Sequence, residues 1–241
     1  MQKRPYRALL LDLDGTLLDI DMERLIGAYI ETLAPLFGSY ISPEQFARHL
    51  LESTVVMVRN TDPAKTNVSV FFDEFCRRLG QPYELVYPIF ERYYESGFPL
   101  LKRWSKPLPE AGAVIEAARR KGLRLVLATN PIFPLRAIEH RLEWARLSSA
   151  AFDLITTVDN MHFCKPQPEY YLEIAAMIGI PPEHCLMAGN DVEEDISSAA
   201  ATGMGTFLAD RFLIHRRPGE EPPARYRGSL QDLADLIASF P

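Results

Sequence analysis

Short apolar runs, each ending in polar residues, recur along this chain of 241 residues. Such runs are typical of parallel strands that are buried on both faces, because neither face of the strand reaches water. Between them, apolar residues recur at the spacing of amphipathic helices. The predicted strands are Tyr6–Leu13, Leu123–Ala128, Asp153–Val158, His184–Ala188 and Met204–Ala209. The predicted helices are Glu110–Lys121, Pro134–Ala145, Pro168–Ile178, Glu193–Thr202 and Ser229–Phe240.

Strands and helices alternate after residue 105, and the first strand precedes residue 20. This alternation predicts an α/β fold, namely a Rossmann-like parallel sheet with helices on both faces. Ser229 and Asp232 have the spacing of a capping box at the start of the last helix. We interpret the proline-rich stretch Pro99–Pro109 as a linker and the charged stretch Arg216–Pro223 as a loop.

The intervening stretch, residues 20–104, shows helical spacing and no strand-like alternation. Ser42 before Pro43 predicts a helix start, and Gly80 predicts a helix end. We therefore predict two domains: an α/β core formed by residues 1–19 and 105–241, and an inserted all-helical domain formed by residues 20–104. The predicted helices of the insert are Asp21–Phe37, Pro43–Arg59, Val68–Leu79 and Pro82–Ser96.

Composition narrows the class of protein. The net charge is −6 and no long basic stretch occurs, so nucleic acid is not expected as a partner. No apolar run approaches the roughly 20 residues that span a bilayer, and the first residues lack the features of a secretory signal. Three widely separated cysteines match neither a disulfide framework nor a zinc site. We expect a cytoplasmic monomer or homodimer without a membrane partner.

Polar side chains cluster where predicted strands end or in the loops that follow them. In open α/β sheets, ligands bind at the carboxyl ends of the strands, so these side chains are expected to converge. Ionised carboxylates are costly beside a buried strand unless they belong to a site that compensates their charge. The residues are Asp12, Asp14, Thr129, Asn130, Lys165, Asn190, Asp191 and Asp195.

Each feature also has an ordinary structural alternative. The Thr129–Pro131 stretch is typical of a turn, and Lys165 is compatible with a solvated loop charge. Glu193 and Glu194 are interpreted as charges favoured by a helix N-terminus. The coincidence of four such segments at one edge favours a site over these alternatives.

Converging carboxylates need a compensating cation. Oxygen ligands without histidine or cysteine suit a hard divalent ion such as Mg²⁺. Lys165 adds a fixed positive charge, Thr129 and Asn130 add neutral donors, and the backbone N–H groups of the Gly15-Thr16 turn can bind an anion. Thr16 and Asn130 are therefore candidate phosphate-binding residues. We predict a Mg²⁺ cofactor, a phosphorylated ligand and phosphoryl transfer as the reaction.

These residues resemble the four motifs of the haloacid dehalogenase superfamily. The segment Asp12–Thr16 resembles the first motif, Asp-x-Asp-x-Thr, and Thr129 resembles the second, a hydroxyl residue that ends a strand. Lys165 resembles the third motif, and Asp191 with Asp195 resembles the fourth. The helical insert after the first motif resembles the C1-type cap of the superfamily.

The resemblance implies a role for each of these residues. Asp12 would be the nucleophile that forms an aspartyl-phosphate, and Asp14 would protonate the leaving oxygen and later accept a proton from water. Lys165 would neutralise charge on the nucleophile and the phosphoryl group. Thr129 and Asn130 would hold a phosphoryl oxygen.

The resemblance also implies metal ligands: the Asp12 carboxylate, the backbone carbonyl of Asp14, and Asp191. The superfamily usually places an acid directly after the glycine of its fourth motif, whereas here Gly189 is followed by Asn190 and then Asp191. Asp191 is preferred as the ligand because a charged oxygen binds Mg²⁺ better than an amide, and Asn190 is the alternative. Asn190 and Asp195 are otherwise expected to orient ligands or waters.

Asp14 selects a branch of the superfamily. Phosphatases and phosphomutases have this second acid, whereas dehalogenases lack an acid there because a halide leaving group needs no proton. The resemblance therefore implies a Mg²⁺-dependent phosphatase that acts on a small phosphorylated metabolite. The alternatives are a phosphomutase or phosphotransferase with the same intermediate, and a non-catalytic protein that binds a phosphorylated metabolite.

Overall fold

Six parallel strands form the central sheet of this computed structural model, in which residues 6–217 and 219–241 are described. In chain order the strands are β1 Ala8–Leu11, β2 Leu18–Ile20, β3 Ser105–Pro107, β4 Arg124–Leu127, β5 Leu154–Ile155, β6 Cys185–Gly189, β7 Gly205–Ala209 and β8 Tyr226–Gly228. The sheet order is β5-β4-β1-β6-β7-β8, so β1 lies between β4 and β6. The chain crosses from one side of β1 to the other here, which is where such sheets form a ligand crevice.

Helices cover both faces of the sheet. In chain order they are α1 Met22–Leu33, α2 Pro43–Val58, α3 Asn67–Leu79, α4 Tyr83–Ser96, α5 Ala111–Arg120, α6 Leu135–Trp144, α7 Pro168–Ile178, α8 Ser198–Ala201 and α9 Leu230–Ala238. Alternate residues of β1 face opposite ways. Leu9 and Leu11 join a buried cluster that includes α5 and α9, whereas Ala8 and Leu10 join one that includes α7. This arrangement confirms the predicted α/β fold class.

A two-stranded antiparallel ribbon brackets the helical insert. Strand β2 follows the first turn of the core and pairs with β3, and α1 to α4 lie between them in sequence. The helical character predicted for this stretch is confirmed, whereas its division from the core at residues 20 and 104 stays a prediction. The ribbon was not predicted because strands of three residues are too short to show alternation.

Helix ends in the insert follow the sequence signals. The Ser42 hydroxyl accepts a hydrogen bond from the Gln45 N–H, and the Gln45 side chain accepts one from the Ser42 N–H, as in a capping box. Gly80 ends α3 in the left-handed conformation, with φ +69°. Between the helices, the rings of Phe37 and Phe46 lie 4.9 Å apart, which gives the insert an aromatic core.

Four segments differ from their predictions. Residues 153–158 form a strand only at Leu154–Ile155, and the side chains of Asp153 and Thr156 add hydrogen bonds to backbone groups at its two ends. The predicted linker contains a 3₁₀ helix, Phe98–Trp104, and then β3. Strand β8 was not predicted, and the helix predicted from Glu193 begins as a π-helical turn. The capping box at Ser229 is confirmed.

Two parts of the predictions fall outside the described residues. They are residues 1–5 of the predicted core and Pro218 in the predicted loop Arg216–Pro223. Across the described ranges, no helix is long and apolar enough to cross a membrane.

Candidate active site

The turn after β1 places two carboxylates at the carboxyl edge of the sheet. The N–H of Asp12 still donates to the carbonyl of Ala188 in β6, at 3.0 Å, so the sheet fixes its backbone. Gly15 then turns the chain with φ +82°. A Cβ atom at Gly15 would lie 2.5 Å from Nδ2 of Asn190. Conformation and close approach both require glycine here.

Lys165 is buried beneath the first carboxylate. Its Nζ lies 2.9 Å from Oδ1 of Asp12 and 2.6 Å from Oδ1 of Asp195. Burial alone would lower the pKa of Lys165, but these two carboxylates outweigh it and raise the pKa well above its usual value. The Thr16 hydroxyl lies 3.1 Å from the other oxygen, Oδ2, of Asp12. The ammonium and the hydroxyl therefore fix the orientation of the Asp12 carboxylate.

Asp14 has a separate cationic partner, Arg141. The guanidinium donates to Oδ2 of Asp14 and lies over the ring of Phe133, with its carbon 4.8 Å from the ring centroid. Oδ1 of Asp14 and Nη2 of Arg141 are buried, and neither has a hydrogen-bond partner in the described part of the chain. Burial raises the pKa of Asp14, and Arg141 opposes that shift. The two carboxylates of the turn thus lie in different electrostatic surroundings.

Thr129 and Asn130 follow β4 at the same edge. Thr129 is buried, and its carbonyl accepts hydrogen bonds from the hydroxyls of Tyr170 and Thr156, both at 2.8 Å. Nδ2 of Asn130 donates to Oε2 of Glu194 at 3.3 Å, whereas its Oδ1 has no partner among the described residues. Both residues line the same cavity as Asp12.

Asn190 and Asp191 point in different directions. Oδ1 of Asn190 lies 3.0 Å from the Thr16 hydroxyl, and its Nδ2 donates to the Phe212 carbonyl. Oδ1 of Asp191 accepts the N–H groups that begin the following π-helical turn. The guanidinium of Arg216 pairs with both Asp191 oxygens, at 2.8 and 2.7 Å. The amide oxygen therefore faces the Asp12 loop, while the carboxylate is already neutralised.

A cavity of about 350 Å³, which we call the acidic cavity, brings these side chains together. Lys165 and Thr16 reach Asp12 directly by hydrogen bonds. The structure therefore assembles the predicted residues, whose individual roles stay predictions. The predicted residues that line it are Asp12, Asp14, Thr129, Asn130, Asn190, Asp191 and Asp195.

Three charged residues of the acidic cavity were not predicted as part of the site: Arg141, Glu194 and Arg216. Arg141 could have been recognised from the sequence, because it shares the apolar face of α6 with Ala137 and Ile138. A charge on such a face needs a buried partner. Glu194 was interpreted only as a helix-terminal charge. Arg216 lies in an irregular loop, for which sequence periodicity gives no position.

The donor atoms suit a hard, oxygen-preferring cation. The Thr16 hydroxyl carries one hydrogen, yet Oδ2 of Asp12 and Oδ1 of Asn190 both lie within its reach, so it leaves one of these oxygens without its proton. Among the residues described, no group of three His, Cys, Asp or Glu side chains is arranged to hold a metal ion. A hard cation such as Mg²⁺ would therefore need a mixed set of carboxylate, amide and carbonyl oxygens, which the side chains of Asp12 and Asn190 and the backbone of the Asp12 loop can supply.

The fold and the site together define a Rossmann-like α/β protein that carries a carboxylate pair and a buried lysine at the carboxyl edge of its sheet. A family model described as haloacid dehalogenase-like hydrolase matches residues 6–203. The chain belongs to this family, which confirms the resemblance seen in its motifs.

Curated relatives include a phosphoglycolate phosphatase of Aquifex aeolicus, 28% identical over 84% of both chains. A phosphoserine phosphatase of Thermus thermophilus is 30% identical over 52% of this chain and 49% of its own, so that match spans only about half of either protein.

Solved structures of the same fold include a phosphatase and a dehalogenase. The phosphatase, from Thermococcus onnurineus, has a TM-score of 0.59 and 23% identity, with 97% of this chain and 99% of that chain covered. The L-2-haloacid dehalogenase of Xanthobacter autotrophicus has a TM-score of 0.57 and 18% identity, with 97% and 99% covered. At these identities the likeness shows the fold alone.

Proposed function

We propose that this chain is a Mg²⁺-dependent phosphatase that hydrolyses small phosphomonoesters through an aspartyl-phosphate on Asp12. The observation that carries the proposal is the pair of carboxylates on one turn with separate partners. The Asp12 carboxylate accepts a hydrogen bond from Lys165. The Asp14 carboxylate, two residues later in the chain, accepts one from Arg141. One acid is thus placed to attack, and the other to transfer protons.

The first step forms a bond between an Asp12 oxygen and phosphorus. The bond from phosphorus to the ester oxygen breaks, and Asp14 gives its proton to the departing alcohol. In the second step, water loses a proton to Asp14 and attacks phosphorus. Inorganic phosphate leaves, and the Asp12 carboxylate is restored. Lys165, Thr129 and Asn130 would offset or bind the negative charge of the phosphoryl oxygens.

Mg²⁺, when bound, would supply further neutralisation of the phosphoryl charge. Asp12, the carbonyl of Asp14 and Asp191 are the proposed ligands, and Asp191 would first have to lose its pairing with Arg216. The amide oxygen of Asn190 faces the Asp12 loop and could take the same place without that change.

The named activities of the relatives support a phosphatase. The two curated relatives described above are called phosphoglycolate phosphatase and phosphoserine phosphatase. Asp14 favours this branch over dehalogenation, because a halide leaves without a proton.

Phosphate release tests this proposal. With Mg²⁺, the purified protein should release inorganic phosphate from some members of a panel of sugar, glycolate and nucleotide monophosphates. Chelation with EDTA should stop the release, and Asp12→Asn should lower kcat by at least about a thousandfold. Asp210→Asn, at an exposed position outside the acidic cavity, is the matched control and should keep wild-type activity. Turnover that survives Asp12→Asn would contradict the proposal.

A further inference from the structure

A second cavity, of about 360 Å³, lies beside the acidic cavity. We call it the apolar chamber, because aromatic and aliphatic side chains of the helical insert, with some from the core, form most of its wall. Phe71, Tyr87 and Phe90 come from α3 and α4, and Val158 comes from the core. Its volume lies within the range of roughly 300–1,000 Å³ that is usual for sites of small organic molecules.

The apolar chamber and the acidic cavity share part of their wall. Ile26 of α1 and Ile132 and Phe133 after β4 line both of them. The Phe133 ring lies 5.8 Å from the ring of Tyr29, which also lines the chamber. The two cavities are therefore adjacent to each other along these shared residues.

The charged residues of the chamber are mostly acidic. Glu91, Glu95 and Asp159 line it, and Arg136 is the one cation among its described lining residues. Arg136 forms ion pairs with Glu95 at 3.3 Å and with Glu139 at 3.5 Å, while its buried Nε makes no hydrogen bond among the described residues. A second anionic group on a substrate, such as a carboxylate, would meet three acids and a single cation whose charge two acids already offset.

We propose that the apolar chamber holds the alcohol part of the substrate, and that the preferred substrate is a phosphomonoester of an alkyl or aryl alcohol without a second anionic group. This inference rests on the proposed phosphatase function. It separates this chain from relatives whose names specify glycolate or serine, both of which carry a carboxylate. After hydrolysis, the chamber would release a neutral alcohol.

A homologous series of substrates tests the apolar character of the chamber. The value of kcat/KM should rise from methyl to butyl to hexyl phosphate, by about three- to fourfold for each methylene that becomes buried. A hexyl phosphate with a terminal carboxylate should react at least about tenfold less efficiently than hexyl phosphate itself. Equal efficiency along the series, or a preference for the carboxylate, would overturn the proposal.

A matched pair of variants locates the effect. Leu51 lines the chamber and is 49% exposed, whereas Leu85 is 52% exposed and lies on α4 outside the chamber. Leu51→Trp should place an indole at the chamber and lower the ratio of hexyl to methyl phosphate efficiency by at least about fivefold. Leu85→Trp should leave that ratio unchanged. Equal ratios in the two variants would place the apolar site elsewhere.

Binding of alkylphosphonates separates this proposal from the phosphatase proposal. These probes cannot be hydrolysed, so calorimetry measures their affinity whether or not the protein turns over esters. The Kd of hexylphosphonate in the presence of Mg²⁺ should be lower than that of methylphosphonate, and Leu51→Trp should reduce the difference. Turnover without chain-length dependence would refute the chamber alone. Absence of turnover with retained chain-length dependence in binding would refute the phosphatase function alone.

Discussion

Arg141 gives Asp14 a fixed position in the acidic cavity. Its side chain is buried, and its one ionic partner among the described residues is the Asp14 carboxylate. The stacking of the guanidinium on Phe133 restricts the direction in which it can donate. Arg141 is therefore a positioning residue, which would act on the reaction through Asp14.

Substitution of Arg141 should make the rate depend on the leaving group. With Arg141→Met, kcat/KM for an alkyl phosphate should fall by about tenfold or more, because the departing alkoxide needs the proton of Asp14. With 4-nitrophenyl phosphate the loss should be much smaller, since that phenolate leaves without help. Arg141→Lys should restore part of the alkyl phosphate activity. An equal loss with both substrates would indicate a structural role only, and circular dichroism would verify the fold of each variant.

The turn between β1 and β2 depends on glycine at one position. Gly15→Ala would combine an unfavourable positive φ with a collision against Asn190. We expect a loss of at least about 1 kcal/mol in the free energy of unfolding and a large fall in kcat, measured by urea unfolding and phosphate release.

Gly112→Ala is the matched control for that substitution. Gly112 lies in α5, and a Cβ atom there would meet no other atom within 4 Å. The change should be neutral or should stabilise the protein by up to about 1 kcal/mol. Similar effects of the two substitutions would contradict the account of the turn.

Helix α3 carries a pH-dependent ion cluster. Hydrogen bonds from Arg77 lower the pKa of Glu74 from its usual 4.5 to about 2. Burial opposes this shift, and a hydrogen bond from Arg78 adds to it. Because the pKa is lower in the folded state, the stabilisation is complete above pH 4.5 and is lost as the pH falls towards 2.

Glu74→Gln should therefore lower Tm at neutral pH, by no more than about 4 °C, because the pair is near the surface. The difference in Tm from wild type should shrink below pH 4.5. Glu31→Gln, an exposed position on α1, serves as control and should leave Tm almost unchanged. A difference for Glu74→Gln that grows on acidification would contradict the sign of the pKa shift.

At the scale of the whole molecule, the sequence predicted those features that depend on a local pattern of residues. The apolar run before Asp12 predicted β1, and polar residues after the strands predicted the edge where Asp12, Thr129 and Lys165 meet. The structure places Lys165 on Asp12 across 153 positions of sequence. That contact was predictable because parallel strands end at a common edge and because the motifs follow a known order.

Features that depend on contacts between distant segments were not predicted. The pairing of Arg141 with Asp14 joins residues 127 positions apart, and the strand partners Leu18 and Pro107 form a ribbon too short to show a pattern. The wall of the apolar chamber is formed by α1 to α4 together with the segment after β4, so no single stretch of sequence contains the chamber. Arg216 reaches Asp191 from a loop, where periodicity does not apply.

The central claim is that Asp12 carries the phosphoryl group during turnover, and one measurement tests it most directly. A reaction with an active phosphomonoester and Mg²⁺ is quenched in acid within a turnover, and the protein is digested and analysed by mass spectrometry. The account predicts one phosphoryl group on Asp12. That group should be absent from samples that are quenched only after all the substrate has been consumed. Phosphate release with no phosphorylated Asp12, or with the phosphoryl group on another residue, would contradict it.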